Sequence, residues 1–391
     1  MIKTLISVFS IPYFREHPHP SQYNNPFLLF TTSSKNPYIT EFLFSLLNFL
    51  SEYQENGTLP YIGWLNYNPL YIKTAVLSSE LLVLLLEPNI AFKDINENVR
   101  NMVDLQEIMN YYLDLQPQDS VKFRESSEGS SYYGSCQEIL GNFCFNIVGN
   151  INDQTYLKKL AKNLLKLLKG NSLEAKNTFL MFSMKEINFL EEVFILTWRL
   201  TKSNHFFINF LLEGQNGLDF LSCLLTMMHE KFTVSFQSGT FNLAITFLTH
   251  LSLIRDFATS LNSPLKQSFI FHSLPVISGN YADFLITVIH SGIMNCFEQK
   301  IQFFSLNLTA IMLNLSPYIQ NISKSTGFKL VQLVQMFANH ENLLENQLYG
   351  ECVVKMIKII DNILVHQGEV SLNIHYFCII FQYFFKIFQY F

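Results

Sequence analysis

Four lysines recur at helical spacing in one segment: Lys159, Lys162, Lys166 and Lys169 line one face of a predicted helix around residues 157–168. Leu157, Leu160, Ala161, Leu164, Leu165 and Leu168 occupy its opposite face. Ammonium groups so arranged could rest on anionic lipid headgroups, each contributing about 1 kcal/mol near a charged leaflet. The other interpretation is a solvated face over a core stripe, which has the same pattern.

The remaining reactive side chains form no motif. His205, His229, His250, His272, His290, His340, His366 and His375 are dispersed, without the His-x-x-x-His spacing that lets two imidazoles share a metal on one helix face. Cys136, Cys144, Cys223, Cys296, Cys352 and Cys378 are widely and irregularly spaced, with no Cys-x-x-Cys pair, which fits reduced and mostly buried thiols. Ser222-Cys223 and Ser135-Cys136 lack the glycine-flanked elbow that exposes a nucleophile, and no glycine-rich phosphate loop occurs. Arg255-Asp256 is expected to be a paired charge at a helix end that fixes the turn running to Pro264. No catalytic, cofactor-binding or metal residue is expected, and the chain is taken as non-enzymatic.

The elements that carry these residues are helical. Apolar residues fall at helical spacing from Tyr38 to Leu50 and from Leu70 to Leu86, with residues 60–69 as a turn between them, which predicts a helical hairpin. Tyr349, Cys352, Val353, Met356, Ile359, Ile360 and Ile363 mark the buried face of a helix over residues 349–364. Ile301, Phe304, Leu308, Ile311, Met312 and Leu315 form another stripe, stopped at Ser316-Pro317 because proline cannot continue the backbone ladder. Phe303, Leu306 and Leu313 lie off that stripe, so this helix is expected to be covered on more than one side.

Residues 1–24, broken by Pro12, Pro18 and Pro20, suggest an extended leader. Gln116 to Ser135 is rich in Ser and Gly and predicts a mobile loop. Residues 25–391 otherwise suggest one helical array, with no clean internal repeat. The segment Asn373 to Phe391 is very apolar and carries one formal charge, Lys386; it is either a packing helix or a tail anchor.

Composition agrees with helices. Of 391 residues 49% are hydrophobic, enough for a large core without disulfide or metal staples. Phe occurs 38 times and Tyr 18 times against 15 Gly, which disfavours the glycine-dependent turns of β-rich folds. With 26 basic and 31 acidic residues the net charge is −5, which argues against a nucleic-acid partner.

Ordered islands carry a resemblance: Leu251-Ser-Leu-Ile-Arg-Asp-Phe-Ala-Thr-Ser-Leu-Asn262, Leu274-Pro-Val, Tyr281-Ala-Asp-Phe-Leu-Ile and Leu313-Asn-Leu-Ser-Pro-Tyr318. Asn25-Pro26-Phe27, Pro60-Tyr61 and Trp198-Arg-Leu extend it toward the N-terminus. In this order they resemble the high-temperature-induced dauer-formation protein family, a relative of dymeclin. About three quarters of the chain takes part, with residues 116–135 and both ends outside, and the chain is expected to be shorter than the family at both ends. The resemblance implies an all-α, irregular armadillo/HEAT-like α-solenoid of stacked antiparallel helices. It also implies a cytosolic scaffold, peripheral on Golgi or trans-Golgi membranes, that supports secretory vesicle sorting through other trafficking proteins. No cofactor, nucleic acid or small-molecule substrate is implied. A membrane protein anchored by residues 373–391, and an armadillo-like adaptor unrelated to secretion, remain the alternatives.

Overall fold

A computed structural model of the chain describes residues 2–10, 26–32, 36–53, 69–87, 142–170, 189–233, 238–265, 279–299, 301, 303–339 and 347–367. Every regular element among them is a helix, and the only β pairing in them is an isolated bridge between Pro264 and Asn280. The expected loop at 116–135 and the apolar tail at 373–391 lie outside the described residues.

Packing groups the chain into two compact units. The first comprises Met1–Leu167 with Lys185–Phe210, and the second Leu168–Met184 with Leu211–Phe391.

In the first unit the helices are α1 (Ile2–Phe9), α2 (Pro26–Thr31), α3 (Ile39–Ser51), α4 (Pro69–Leu85), α5 (Phe143–Gly149), most of α6 (Gln154–Gly170) and α7 (Leu190–Ser203). The expected extended leader therefore begins with a helix, whose Phe9 is buried and which packs on α4. Helix α4 is central, lying against α1, α3 and α7, while α5 bridges α3 and α7. Helices α3 and α4 pair as expected, residues 60–68 of the expected turn lying outside the described residues: Tyr71 at the start of α4 stacks on Tyr53 and meets Phe49 edge-on, at 5.1 and 5.5 Å between centroids. Arg199 on α7 donates to the carbonyl of Leu86 and pairs with Glu87, which holds the ends of α4 and α7 together.

The second unit is more regular. Its helices after α8 (His205–Leu211), which crosses the unit boundary, are α9 (Asn216–Thr233), α10 (Ser238–Ser252), α11 (Arg255–Ser260), α12 (Tyr281–Glu298), α13 (Phe303–Leu315), α14 (Lys324–Phe337) and α15 (Gln347–Gln367). Helices α9, α12 and α14 pack in one row, and α10, α13 and α15 in a second. Successive pairs, α9 with α10, α12 with α13 and α14 with α15, join the rows.

Neighbours within a row run in the same direction. Phe241 meets Phe304 edge-on at 5.1 Å near the starts of α10 and α13, and Asn314 reaches Ser252 at their ends. Thr309 with Cys352, then Ser316 with Asn362, align α13 and α15 in the same way. Helix α12 is buried along Tyr281 to Ile289 and again at Gly292, Ile293 and Cys296. Burying residues such as Phe284, Leu285 and Ile289 stabilises the unit by about 1.5–3 kcal/mol each. At Gly292 the side chains of Met228, Phe241 and Leu308 converge, so three neighbouring helices close on the middle of α12.

As expected, α13 is covered on more than one side, by α10, α12 and α15, but its off-stripe residues are less buried than their type suggests. The α13 stripe Phe304, Leu308, Ile311, Met312 and Leu315 is buried, but off-stripe Phe303 is 61% exposed and Leu306 and Leu313 are half-buried. Among the described residues no helix covers its outward side completely.

Candidate functional site

The islands that carry the family resemblance meet in the second unit, with asparagines as the joints. Asn280 caps α12: its Oδ1 accepts the N–H of Asp283 at 2.8 Å, and the Asp283 carboxylate accepts the N–H of Asn280 in return. This reciprocal box satisfies two donors that a helix start leaves unpaired. The Asn280 Nδ2 then donates to the carbonyl of Gln320 at 2.9 Å, and Asp283 Oδ1 accepts the N–H of Ser323 at 2.8 Å. Ser323 in turn caps α14 by accepting from Thr326. The starts of α12 and α14 thus share one hydrogen-bonded knot.

Asn262 adds the preceding connection. Its side chain donates to the carbonyl of Tyr318 at 2.8 Å and accepts the N–H of Gln320 at 2.7 Å. Backbone bonds from Leu265 to Gly279, Tyr281 to Ser263 and Ala282 to Leu261 close the same turn. Gly279 stands here with φ +128°, and a Cβ on it would collide with the Asp283 carboxylate, so no other residue fits. Arg255 and Asp256, expected to fix the turn to Pro264, are both exposed at the start of α11 and form no ion pair among the described residues. Asn262 and the Pro264–Asn280 bridge do that work instead. The Leu274-Pro-Val island lies outside the described residues.

A second feature repeats. Ser252 donates to its own helix at the Thr249 carbonyl and accepts from Asn314 Nδ2 at 2.9 Å. Ser316 donates to the Leu313 carbonyl and accepts from Asn362 Nδ2 at 2.8 Å. Two identical rungs therefore cross from α10 to α13 and from α13 to α15. The first unit uses asparagine differently: Asn142 caps α5 while donating to the carbonyls of Leu85 and Glu87. Asn204 caps α8 while donating to those of Val148 and Ile151.

Electrostatics around the knot are set by burial. Desolvation pulls His290 on α12 from its usual 6.5 to about 4, helped by the nearby Lys329 ammonium and opposed by a hydrogen bond with Gln332. Lys329 is itself lowered by burial, which the Asp283 carboxylate counters. Cys144 and Cys296 are buried thiols pushed up to about 12 by desolvation, protonated and unreactive at neutral pH. Ser222 is buried and spends its hydroxyl on the Leu218 carbonyl. Among the described residues no group of His, Cys, Asp and Glu is placed to hold a metal.

The four lysines stand on α6 but differ in surroundings. Lys159 pairs with Glu52 at 2.9 Å, both side chains well exposed, and Lys169 pairs with Asp219 at 2.8 Å. Lys162 and Lys166 are exposed, with no ion pair among the described residues. The leucine face is buried as expected, with Leu157, Leu160, Leu164, Leu165 and Leu168 all in the core.

A sequence profile of the high-temperature-induced dauer-formation protein family matches residues 1–388. The chain belongs to this family. The match takes in both ends and the 116–135 segment, which the resemblance drawn from the islands left outside. Protein HID1 of Mus musculus and Protein HID1 of Homo sapiens are each 28% identical to the chain over 235 residues, which is 60% of this chain and 29% of theirs. Protein HID1 of Dictyostelium discoideum is 29% identical over 203 residues, 52% of this chain and 22% of its own. The matches thus take in less than a third of each relative's length. No solved structure matches the chain.

The capping asparagines and the rungs were not singled out from sequence. Asn280-Tyr-Ala-Asp283 has the spacing of a capping box, and Asn142 and Asn204 each precede an apolar helical run, so the caps had a detectable signal. The rungs had none, since serine and asparagine inside apolar helices look like ordinary surface residues.

Proposed function

We propose that the chain is a non-catalytic scaffold, peripheral on the cytoplasmic face of Golgi or trans-Golgi membranes, that supports secretory vesicle sorting by binding other trafficking proteins. Its architecture is an irregular armadillo/HEAT-like solenoid. The observation that carries this reading is the spending of motif residues on joints between stacked helices, with Asn262, Asp283, Asn314 and Ser316, and the adjoining Asn280, all bonded to neighbouring connections or helices. Same-direction rows of helices offer long surfaces and need no pocket, which suits contact with several partners. No helix among the described residues is long and apolar enough to cross a membrane, in keeping with a peripheral mode. On α6, Lys162 and Lys166 are the side chains that remain for an anionic headgroup surface, since Lys159 and Lys169 already hold carboxylates.

Fractionation of secretory cells expressing the tagged chain tests this. The chain should sediment with Golgi membranes and be released by alkaline carbonate. Retention in the carbonate pellet would mean an integral anchor, and proximity labelling that returned no Golgi neighbours would mean an adaptor working elsewhere.

A further inference from the structure

We propose that the outward faces of α10 and α13 form a docking strip for an extended, uncharged peptide segment, held by Asn242 and Asn307 and by the apolar side chains beside them. The proposal specifies one surface for the protein contacts inferred above, and a binding assay with purified chain tests it apart from any Golgi role.

The first observation is charge. Residues 232–254 and 301–323, which contain all of α10 and all of α13, have no Asp, Glu, Lys or Arg. An outward helix face normally carries charge, as α15 does with Glu351, Lys358 and Asp361. Two adjacent helices without any is the depletion that marks the centre of an interface.

The second is relief. Helix α13 lies between α10 and α15 in its row. Its outward residues Leu306, Asn307, Ala310 and Leu313 are half-buried, whereas Asn242 and Thr246 on α10 and Val354 on α15 are exposed. The middle helix is the floor and its neighbours are the walls. Leu253, 70% exposed, and Phe303, 61% exposed, place large apolar groups toward opposite ends of the floor.

The third is hydrogen-bonding capacity. Because α10 and α13 run in the same direction with Phe241 against Phe304, Asn242 and Asn307 stand at similar heights on adjacent helices. Neither carboxamide has a hydrogen-bond partner among the described residues, while the Thr246 hydroxyl is already committed to the Asn242 carbonyl. Each carboxamide offers both donor and acceptor, which matches the unpaired N–H and C=O of an extended main chain. A charged segment would be dehydrated on this floor without a counter-charge, so the strip selects a neutral one.

The test pans phage-displayed random 12-residue peptides against the immobilised full chain and measures a recovered peptide by fluorescence anisotropy. Recovered sequences should be poor in Asp, Glu, Lys and Arg. Ala310→Glu should weaken binding at least tenfold and Asn242→Ala with Asn307→Ala several-fold, with the unfolding midpoint unmoved. Should Ala310→Glu disturb folding, Thr246→Glu places the same charge at an exposed position. Failure to recover peptides, enrichment of charged ones, or binding indifferent to these variants would overturn the proposal. So would a concentration-dependent dimer abolished by Ala310→Glu, which would make a second copy the occupant.

Discussion

Asparagine joins helices in both units, but in the first unit the joints tie one helix start to another helix end, and in the second they also link neighbouring helices side by side. Asn142 and Asn204 each cap one helix and collect carbonyls from the frayed end of another. In the second unit the Asn314–Ser252 and Asn362–Ser316 bonds have the same donor, the same acceptor and the same internal serine bond. A helix end needs its orphan carbonyls satisfied wherever it occurs, which explains the joints of the first unit. A repeated rung between helices running in the same direction needs more, namely equivalent placement of successive helices. The two rungs thus place α10, α13 and α15 at matching offsets, while apolar residues supply most of the stability.

The largest effect should come from the knot. Asp283 is 1% exposed, and Asp283→Ala removes the acceptor for Asn280 and Ser323 together and strips Lys329 of its counter-charge. Chemical denaturation should show a loss of about 3–5 kcal/mol, against about 2 kcal/mol for Asn204→Ala in the first unit. Equal losses would erase the distinction between a shared knot and a single cap.

A smaller effect is expected from pH. His290 binds its proton only near pH 4 in the folded chain, whereas an unfolded histidine does so near 6.5. The folded state thus takes up fewer protons across that window, so stability present above pH 6.5 is lost as pH falls toward 4. Allowing for solvent screening, the loss is on the order of 1–2 kcal/mol. His290→Gln should reduce the drop and leave a remainder from His229, which burial lowers in the same direction. An unchanged profile in that variant would place the pH sensitivity elsewhere.

The rungs sharpen the claim of matching offsets. Asn314→Ala and Asn362→Ala should each cost about 1 kcal/mol, as one partly buried neutral hydrogen bond does. Costs that differed by more than about 1 kcal/mol would show that the two positions are not equivalent.

The smallest stability effect belongs to α6. Lys162→Gln with Lys166→Gln should change stability by less than about 0.5 kcal/mol, because neither lysine has an ion-pair partner among the described residues. The same pair should reduce sedimentation with phosphatidylserine-containing vesicles. Unchanged sedimentation would remove this face as a membrane contact.

Helix positions were legible in the sequence wherever a 3.6-residue stripe met a clear stop. The stripe from Tyr349 to Ile363 is the buried face of α15, and Ser316-Pro317 does end α13. Off-stripe apolar residues misled, since Phe303, Leu306 and Leu313 look like core by type and are partly exposed by position. Type alone cannot say which side a neighbour covers. The start at Ile2–Phe9 was missed because the prolines after it masked one short amphipathic helix. The candidate site was least legible: the rungs join residues far apart in the chain, and unequal connections hide their equivalence from any fixed period.

Native-state hydrogen exchange on Asn280→Ala tests the central claim most directly, because Asn280 links the starts of α12 and α14 through one side chain and its Asp283 partner. Protection should fall together in the first turns of Tyr281–Glu298 and Lys324–Phe337. Loss confined to the first turn of α12, with α14 unchanged, would mean that Asn280 is an ordinary helix cap and that the motif residues do not join the stack.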